Sequence, residues 1–160
     1  MMKRSQRMRP VLAVAQRAED VMLKAYARSQ QLLSDAEHKL NQLLDYQMEY
    51  FRGLQVVSSQ LVDLAQLQAR RHFMTKLRAA IQAQPLEVSR CQQAVSSARV
   101  AWLKTRGHSQ SMTKLTARYE SEEDAALALQ AQRQSDELSG QRFVWRQQAE
   151  RDDWAQGAAS

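Results

Sequence analysis

The sequence has few of the residues that interrupt helices. Its 160 residues include four glycines and two prolines, and only 6% of them are aromatic. Gln, Ala, Leu, Arg, Ser and Glu dominate, and this mixture is rich in good helix formers and poor in strand formers. A compact α/β enzyme needs glycine at its many tight turns, whereas long helices need almost none. The composition therefore predicts an all-α protein.

Several kinds of chemistry lack the residues they require. Cys91 is the only cysteine, so no disulfide can form within the chain. His38, His72 and His108 stand far apart, and no Cys or acid accompanies them at ligand spacing. No glycine-rich phosphate loop is present, and no Ser or Cys has a plausible general base nearby. We expect a protein that is not an enzyme and that has no metal, no cofactor and no small-molecule substrate.

Long apolar runs are also missing. No stretch approaches the roughly 20 residues that a membrane-spanning helix needs, and the segment 1–9 leads into no sustained apolar core like that of a secretory signal. The net charge is +6, and four basic residues lie within residues 1–9, whereas the first acid is Glu19. This basic start is compatible with a transit peptide. The apolar residues of the following helix, however, continue the spacing found in the rest of the chain, which argues against one. We expect a cytosolic protein with a basic N-terminal arm at 1–9.

Apolar residues then recur at helical spacing through two segments. Pro10 predicts a helix start near Arg9, and in the first segment the step of four from Leu32 to Ala36 and again to Leu40 predicts a stutter. The predicted seam of this helix is Ala15, Ala18, Met22, Ala25, Leu32, Ala36, Leu40, Leu43, Tyr50 and Leu54.

The second segment has the more regular heptad. Its predicted seam is Met74, Leu77, Ile81, Gln84, Val88, Cys91, Val95, Ala98, Trp102 and Thr105. Pro85 follows the polar layer at Gln84 and predicts a kink. After a weak stretch at 107–111, the seam is predicted to resume at Met112, Leu115, Tyr119, Glu122, Ala126 and Leu129.

The two seams predict one antiparallel coiled coil, a helical hairpin over residues 10–147. Gly53 and the β-branched and serine residues after it place the turn at about 53–63. Leu43 then lies near Leu77, and the first helix ends near residue 110 of its partner. The polar segment 148–160 is expected to be disordered. The carboxylates at Glu120, Glu122, Glu123 and Asp124 are expected to form a solvated face.

Aromatic residues gather at the turn end of this hairpin. Tyr46 and Tyr50 lie one turn apart on the first helix, and Phe73 lies opposite on the second. Two helices form a single layer and cannot bury all three rings. The sequence therefore predicts an exposed apolar patch of the kind that binds partners.

Several segments together resemble the FliJ family of flagellar export proteins. The run AEHKLNQLLDYQMEY (36–50) is similar to the segment that these proteins carry late in their first helix. The run FMTKLRAAI (73–81) is similar to a segment of their second helix, Trp102 stands where the family has a Trp, and Asp136-Glu137 matches an acidic pair. The match needs no gap from residue 36 to 138. The order and spacing of these segments taken together are more specific than any single motif.

The resemblance implies a fold and a set of partners. FliJ proteins are antiparallel two-helix coiled coils that resemble the central stalk of rotary ATPases. The family associates with the hexameric export ATPase FliI and promotes assembly of its ring, contacts the regulator FliH, binds the export gate FlhA and handles export chaperones. It implies a chain that is monomeric alone and that sits at the cytoplasmic face of the inner membrane at the flagellar base.

The resemblance also implies a gate-binding patch. The family's patch falls here on positions that the hairpin brings to its turn end: Leu43, Tyr46, Tyr50, Phe73, Leu77 and Ala80. Two further positions depart from the family pattern, because Lys39 and Gln84 stand where well-known members have Gln and His.

Two other functions are compatible with the residues. A generic cytosolic coiled-coil adaptor would need the aromatics only for stability. A basic nucleic-acid-binding helical protein would gather cations on one face, as the stretch Arg70, Arg71, Lys76 and Arg78 does in part. Because a solvated helix face explains that stretch as well, no nucleic-acid partner is expected.

Overall fold

The structure, a computed structural model, describes residues 2–57 and 63–159. Helix α1 spans Arg4–Val57 and helix α2 spans Leu64–Ala158, and no strand occurs among the described residues. The two helices pack against each other as an antiparallel hairpin, so the predicted all-α coiled coil is confirmed. Of the turn predicted at 53–63, residues 53–57 are helical, and residues 58–62 lie outside the described residues.

Helix α1 buries an uninterrupted heptad. Its buried and half-buried seam residues recur at alternating steps of three and four: Ser5, Met8, Leu12, Ala15, Glu19, Met22, Tyr26, Ser29, Leu33, Ala36, Leu40, Leu43, Gln47, Tyr50 and Leu54. The predicted stutter is wrong, since Leu32 is exposed and Leu33 takes the seam position. Ala18 and Ala25 are exposed as well. The apolar pattern missed the polar seam residues, of which Ser29 satisfies its hydroxyl locally by donating to the Tyr26 carbonyl at 2.7 Å.

The predicted seam of α2 from Met74 to Thr105 is confirmed at every position. The heptad also continues through the stretch predicted to be weak, where Ser109 is buried. Beyond it, Met112, Thr116, Tyr119 and Glu123 face the partner helix, whereas Glu122 is exposed. The predicted positions Ala126 and Leu129 are also exposed, and they lie beyond Glu123, which contacts the first turn of α1.

Chain contacts divide the protein into two units, and the larger unit is Val14–Ser109. Three cross-helix contacts show its antiparallel register. The Tyr50 and Phe73 rings lie 5.5 Å apart, the Gln84 side-chain amide donates to the Ala36 carbonyl at 2.9 Å, and Tyr26 stacks on Trp102 at 5.6 Å. Helix α2 runs through Pro85 without a break.

The other unit consists of Met1–Ala13 and Gln110–Ser160. Helix α1 begins at Arg4 rather than near Arg9, so most of the predicted basic arm is helical and Pro10 lies inside the helix. The Ser5 backbone N–H and hydroxyl donate to the two carboxylate oxygens of Glu123 at 3.0 and 2.6 Å, and Arg9 lies 3.7 Å from Glu120. Helix α1 therefore reaches residues 120–123 of its partner instead of ending near residue 110.

Glu123 acts as a cap for the first turn of α1. A helix leaves its first N–H groups without intrahelical acceptors, and a carboxylate there also meets the positive end of the helix dipole. The hydrogen bonds from the Ser5 hydroxyl and then from its N–H hold the pKa of Glu123 below its usual value of 4.5. The prediction of a uniformly solvated acidic face is thus wrong for Glu123, which is half-buried.

The C-terminal part of α2 is helical and exposed throughout. Every described residue from Asp124 onward is exposed, and the helix continues to Ala158. Residues 148–158, expected to be disordered, are helical in this structure. The described parts of both helices contain no apolar stretch of the kind that a membrane span requires.

Candidate partner-binding site

The predicted aromatic patch forms a groove between the two helices near residues 46–54 and 70–73. Tyr46 and Phe73 expose 57% and 49% of their surfaces, and Tyr50 is half-buried between them. The Tyr50 and Phe73 rings meet at a tilt of 38°. Three aromatic rings therefore line one side of the hairpin, as the sequence predicted.

This aromatic groove has a volume of about 370 Å³. Its lining consists of Tyr46, Glu49, Tyr50, Gly53, Leu54, Arg70 and Phe73. A Cβ atom at Gly53 would meet nothing within 4 Å, so the groove is open at that position. It offers apolar walls with one carboxylate and one guanidinium, which suits an apolar or aromatic side chain that carries a polar end.

Helix geometry explains why these rings stay exposed. The seam of α1 uses Gln47 and Tyr50, and Tyr46 lies one residue off it. On α2 the seam uses Met74, and Phe73 lies one residue off it. Each neighbour of a seam residue points about 100° away from it, so both rings flank the seam on the outside.

The other predicted patch residues have different environments. Leu77 and Gln84 are only 6% and 7% exposed, because both belong to the seam and face α1. Leu43 and Ala80 are half-buried, and Lys39 is exposed. The structure thus brings Tyr46, Tyr50 and Phe73 together at the surface and places Leu77 and Gln84 in the interior of the hairpin.

Sequence analysis missed Glu49, Gly53, Leu54 and Arg70 as members of the groove. Arg70 was detectable from its spacing, since it continues the α2 heptad four residues before Met74. In the structure its side chain is half-buried. A basic residue is not read as a seam position from apolar periodicity, although its long aliphatic stem packs on apolar surface.

The Tyr50 hydroxyl has no hydrogen-bond partner among the described residues. Its oxygen is buried, and no described residue provides a hydrogen bond to it. Burial of an unpaired hydroxyl costs folding free energy. Tyr50 therefore contributes through its ring, which packs on Phe73, and not through its oxygen.

A family model matches most of the chain. The family model described as "Flagellar FliJ protein" matches residues 3–148 of the 160. No curated protein and no solved structure matches the chain. The match covers most of both helices, including the aromatic groove.

Proposed function

This chain belongs to the FliJ family of flagellar proteins, and on that premise we propose that it works as a stalk-like adaptor that links the export ATPase to the export gate. Membership makes it a component of the flagellar export apparatus. Its proposed work is binding rather than catalysis. The observation that carries the proposal is the exposed aromatic groove in a hairpin whose family match spans residues 3–148.

The aromatic groove is the proposed contact for the gate protein FlhA. Tyr46 and Phe73 present large ring surfaces to solvent, and Tyr50 supports Phe73 from the seam. Tyrosine and other large aromatic side chains dominate the energy of many transient interfaces because they bury much area at little cost in conformational entropy. Leu43 and Ala80 are half-buried at the same end, whereas Leu77 and Gln84 would support the surface from the seam.

The exposed part of α2 is the proposed contact for the FliI hexamer. Beyond Glu123 the helix carries Phe143, Trp145 and Trp154, and the two tryptophans expose 69% and 80% of their surfaces. Isolated helices are marginal in water, so a surrounding partner would stabilise this segment. Contacts with FliH and with export chaperones belong to the same proposal, as does a location at the cytoplasmic face of the inner membrane at the flagellar base.

Ring assembly would follow from differential contact. A helix that binds the assembled ring more tightly than separate subunits shifts the population toward the ring. The shift toward the ring can be no larger than the difference between the affinity for the assembled ring and the affinity for separate subunits. Promotion of assembly therefore needs no catalytic residue on this chain.

Two double variants test the proposal, because each should lose the binding to one partner and keep the binding to the other. Tyr46→Ala with Phe73→Ala should weaken binding to the cytosolic domain of the gate at least about 30-fold, since each ring is worth about 1–2 kcal/mol at such an interface. The same variant should bind the ATPase normally. Trp145→Ala with Trp154→Ala should weaken binding to the ATPase and leave binding to the gate normal. The two variants are matched, because each removes two exposed aromatic rings.

Calorimetric titration of both variants against both partners separates the outcomes. Circular dichroism must show unchanged helicity in each variant, which the exposure of all four side chains favours. Normal gate binding by the Tyr46 and Phe73 variant would contradict the assignment of the groove. Loss of swimming with the first variant, at normal protein levels, would support a role in export.

A further inference from the structure

A second groove runs along the opposite side of the same helices. It shares Tyr50, Leu54 and Arg70 with the aromatic groove, and these three residues therefore separate the two. Its volume is about 380 Å³. We call it the arginine groove, defined by the apolar side chains of Phe51, Leu67 and Met74 and by the rim residues Arg70, Arg71 and Arg78.

The two grooves differ in charge. The lining of the aromatic groove includes one carboxylate, Glu49, and one guanidinium, Arg70. The arginine groove has three guanidinium groups in its lining and no acidic residue. None of the three arginines is among the ion pairs of the described residues. Of the three, Arg71 and Arg78 are exposed.

The apolar part of this surface continues along α1. Leu44, Met48 and Phe51 follow one another at steps of four and three, which places them on one face of the helix. All three are exposed. On α2, Arg71 and Arg78 are seven residues apart, so two helical turns separate them along the rim.

We propose that the arginine groove binds an acidic amphipathic helix from another protein, so that the hairpin forms a three-helix layer there. A groove between two helices is the complement of a helix ridge, and apolar side chains at steps of three and four fill such grooves. Carboxylates seven residues apart on the incoming helix would match Arg71 and Arg78, and arginine pairs well with carboxylate oxygens. The proposal goes beyond gate binding through the aromatic groove and does not depend on it.

The shape of the surface favours a protein helix over other anionic partners. A nucleic-acid backbone would use the arginines but would leave the aliphatic side chains of Leu44 and Leu67 without a role. A lipid surface would use both features but requires no heptad spacing of the charges. The heptad spacing together with an apolar stripe is what a third helix of a coiled coil requires.

The test uses methionine methyl groups as reporters. The full chain is labelled at its methionine methyl groups, because Met74 lines the groove and Met48 lies one turn from Phe51. Met22 and Met112 lie in the seam elsewhere and serve as internal references. The probe is a synthetic peptide of about four helical turns, with leucines at steps of three and four and glutamates seven residues apart on one flank.

Addition of the peptide should shift the Met48 and Met74 signals and leave those of Met22 and Met112 in place. Arg71→Glu with Arg78→Glu should weaken binding at least about tenfold, because two attractive contacts become repulsive. Arg99→Glu with Arg133→Glu makes the same change in net charge at exposed positions away from the groove and should bind normally. Phe51→Ser should also weaken binding, whereas Leu103→Ser, at an equally exposed position outside the groove, should not.

Four results would overturn the proposal. The first is a peptide that leaves both groove methyl groups unshifted at millimolar concentration. The second is equal binding by the Arg71 and Arg78 variant. The third is a stronger response of the groove methyl groups to phosphatidylglycerol vesicles or to a single-stranded oligonucleotide than to the peptide. The fourth is concentration-dependent shifts of the free protein, which would show that a second copy occupies the groove.

Discussion

The segment 64–123 of α2 and the segment 124–158 belong to one continuous helix but are stabilised differently. The first buries a heptad against α1 at positions as varied as Leu77, Gln84 and Ser109. The second is exposed along its whole length although it carries Phe143 and two tryptophans. The difference shows that spacing against a partner, and not the hydrophobicity of single residues, decides which side chains are buried here.

The largest expected effect comes from replacing one leucine in each segment, which tests the difference between the two segments. Leu77→Ala should lower the free energy of unfolding by about 2–3 kcal/mol, because it removes a buried side chain and leaves a void in the seam. Leu129→Ala should change it by less than about 0.5 kcal/mol, since half of that side chain is already in water. Urea unfolding followed by circular dichroism measures both.

Equal destabilisation by the two leucine variants would contradict the distinction between segments. The slope of the urea transition provides the control. It should stay the same in both variants if each still unfolds from the full hairpin to the same denatured state.

A smaller effect is expected at Gln84 in the seam. Gln84→Ala should cost about 1–2 kcal/mol, because it removes both buried volume and the hydrogen bond to the Ala36 carbonyl. Gln84→Leu should be at least as stable as the natural chain, since the Ala36 carbonyl keeps its bond within α1 and an apolar side chain fills the space. Thermal unfolding compares the three proteins.

The gain from Gln84→Leu should come with a loss of specificity. A single polar layer fixes the alignment and the number of helices in many coiled coils. Sedimentation analysis should therefore detect additional oligomers in the Leu variant. A strictly unchanged molecular mass together with a lower melting temperature would show that the amide contributes net stability instead.

The acidic cap at Glu123 should give a pH-dependent effect in the other unit. Its pKa is lowered by the Ser5 hydrogen bonds, so its stabilisation is complete above the usual value of 4.5 and is lost as the pH falls through the lowered value. Glu123→Gln should melt below the natural chain near neutral pH, and this difference should shrink as the pH falls from about 6 to about 3.

Glu122→Gln is the matched control for this cap. Glu122 accepts a hydrogen bond from Arg118 four residues away on the same helix at 2.9 Å and has no partner on α1 among the hydrogen bonds of the described residues. Its substitution should leave the melting temperature nearly unchanged at all pH values. A pH-independent deficit in the Glu123 variant would rule out the carboxylate as the cause.

The smallest expected effect concerns the aromatic groove. Tyr50→Phe removes a buried hydroxyl that has no partner among the described residues, so unfolding free energy should stay the same or rise by up to about 1 kcal/mol. Tyr46→Phe removes an exposed hydroxyl and should be neutral. A clear loss of stability in the Tyr50 variant would reveal a bond to that oxygen in solution.

The seam of α2 from Met74 to Thr105 was predictable because apolar residues occupy nearly all of its positions. The seam of α1 was not, since Glu19, Ser29 and Gln47 hold seam positions while Leu32 lies outside. Because leucines occupy both positions 32 and 33, apolar spacing alone does not determine which of the two faces the partner helix. The predicted stutter arose from choosing the wrong leucine.

The aromatic part of the candidate site was predictable from spacing alone. Tyr46 and Tyr50 had to share a face, and a two-helix layer has no third element to cover them. Glu49, Gly53 and Arg70 were not predictable as groove residues. Their membership depends on the relative rotation of the two helices, which single-helix periodicity does not contain.

The sequence by itself determined the all-α class, the antiparallel pairing and the α2 seam from Met74 to Thr105, because these follow from helix propensity and from spacing along a single helix. Only the tertiary structure decided that α1 starts at Arg4 and is capped by Glu123, that Leu33 rather than Leu32 faces the partner, and that two differently charged grooves flank Tyr50. These features arise where residues far apart in the chain meet, and their energies depend on distances between helices that no local pattern encodes.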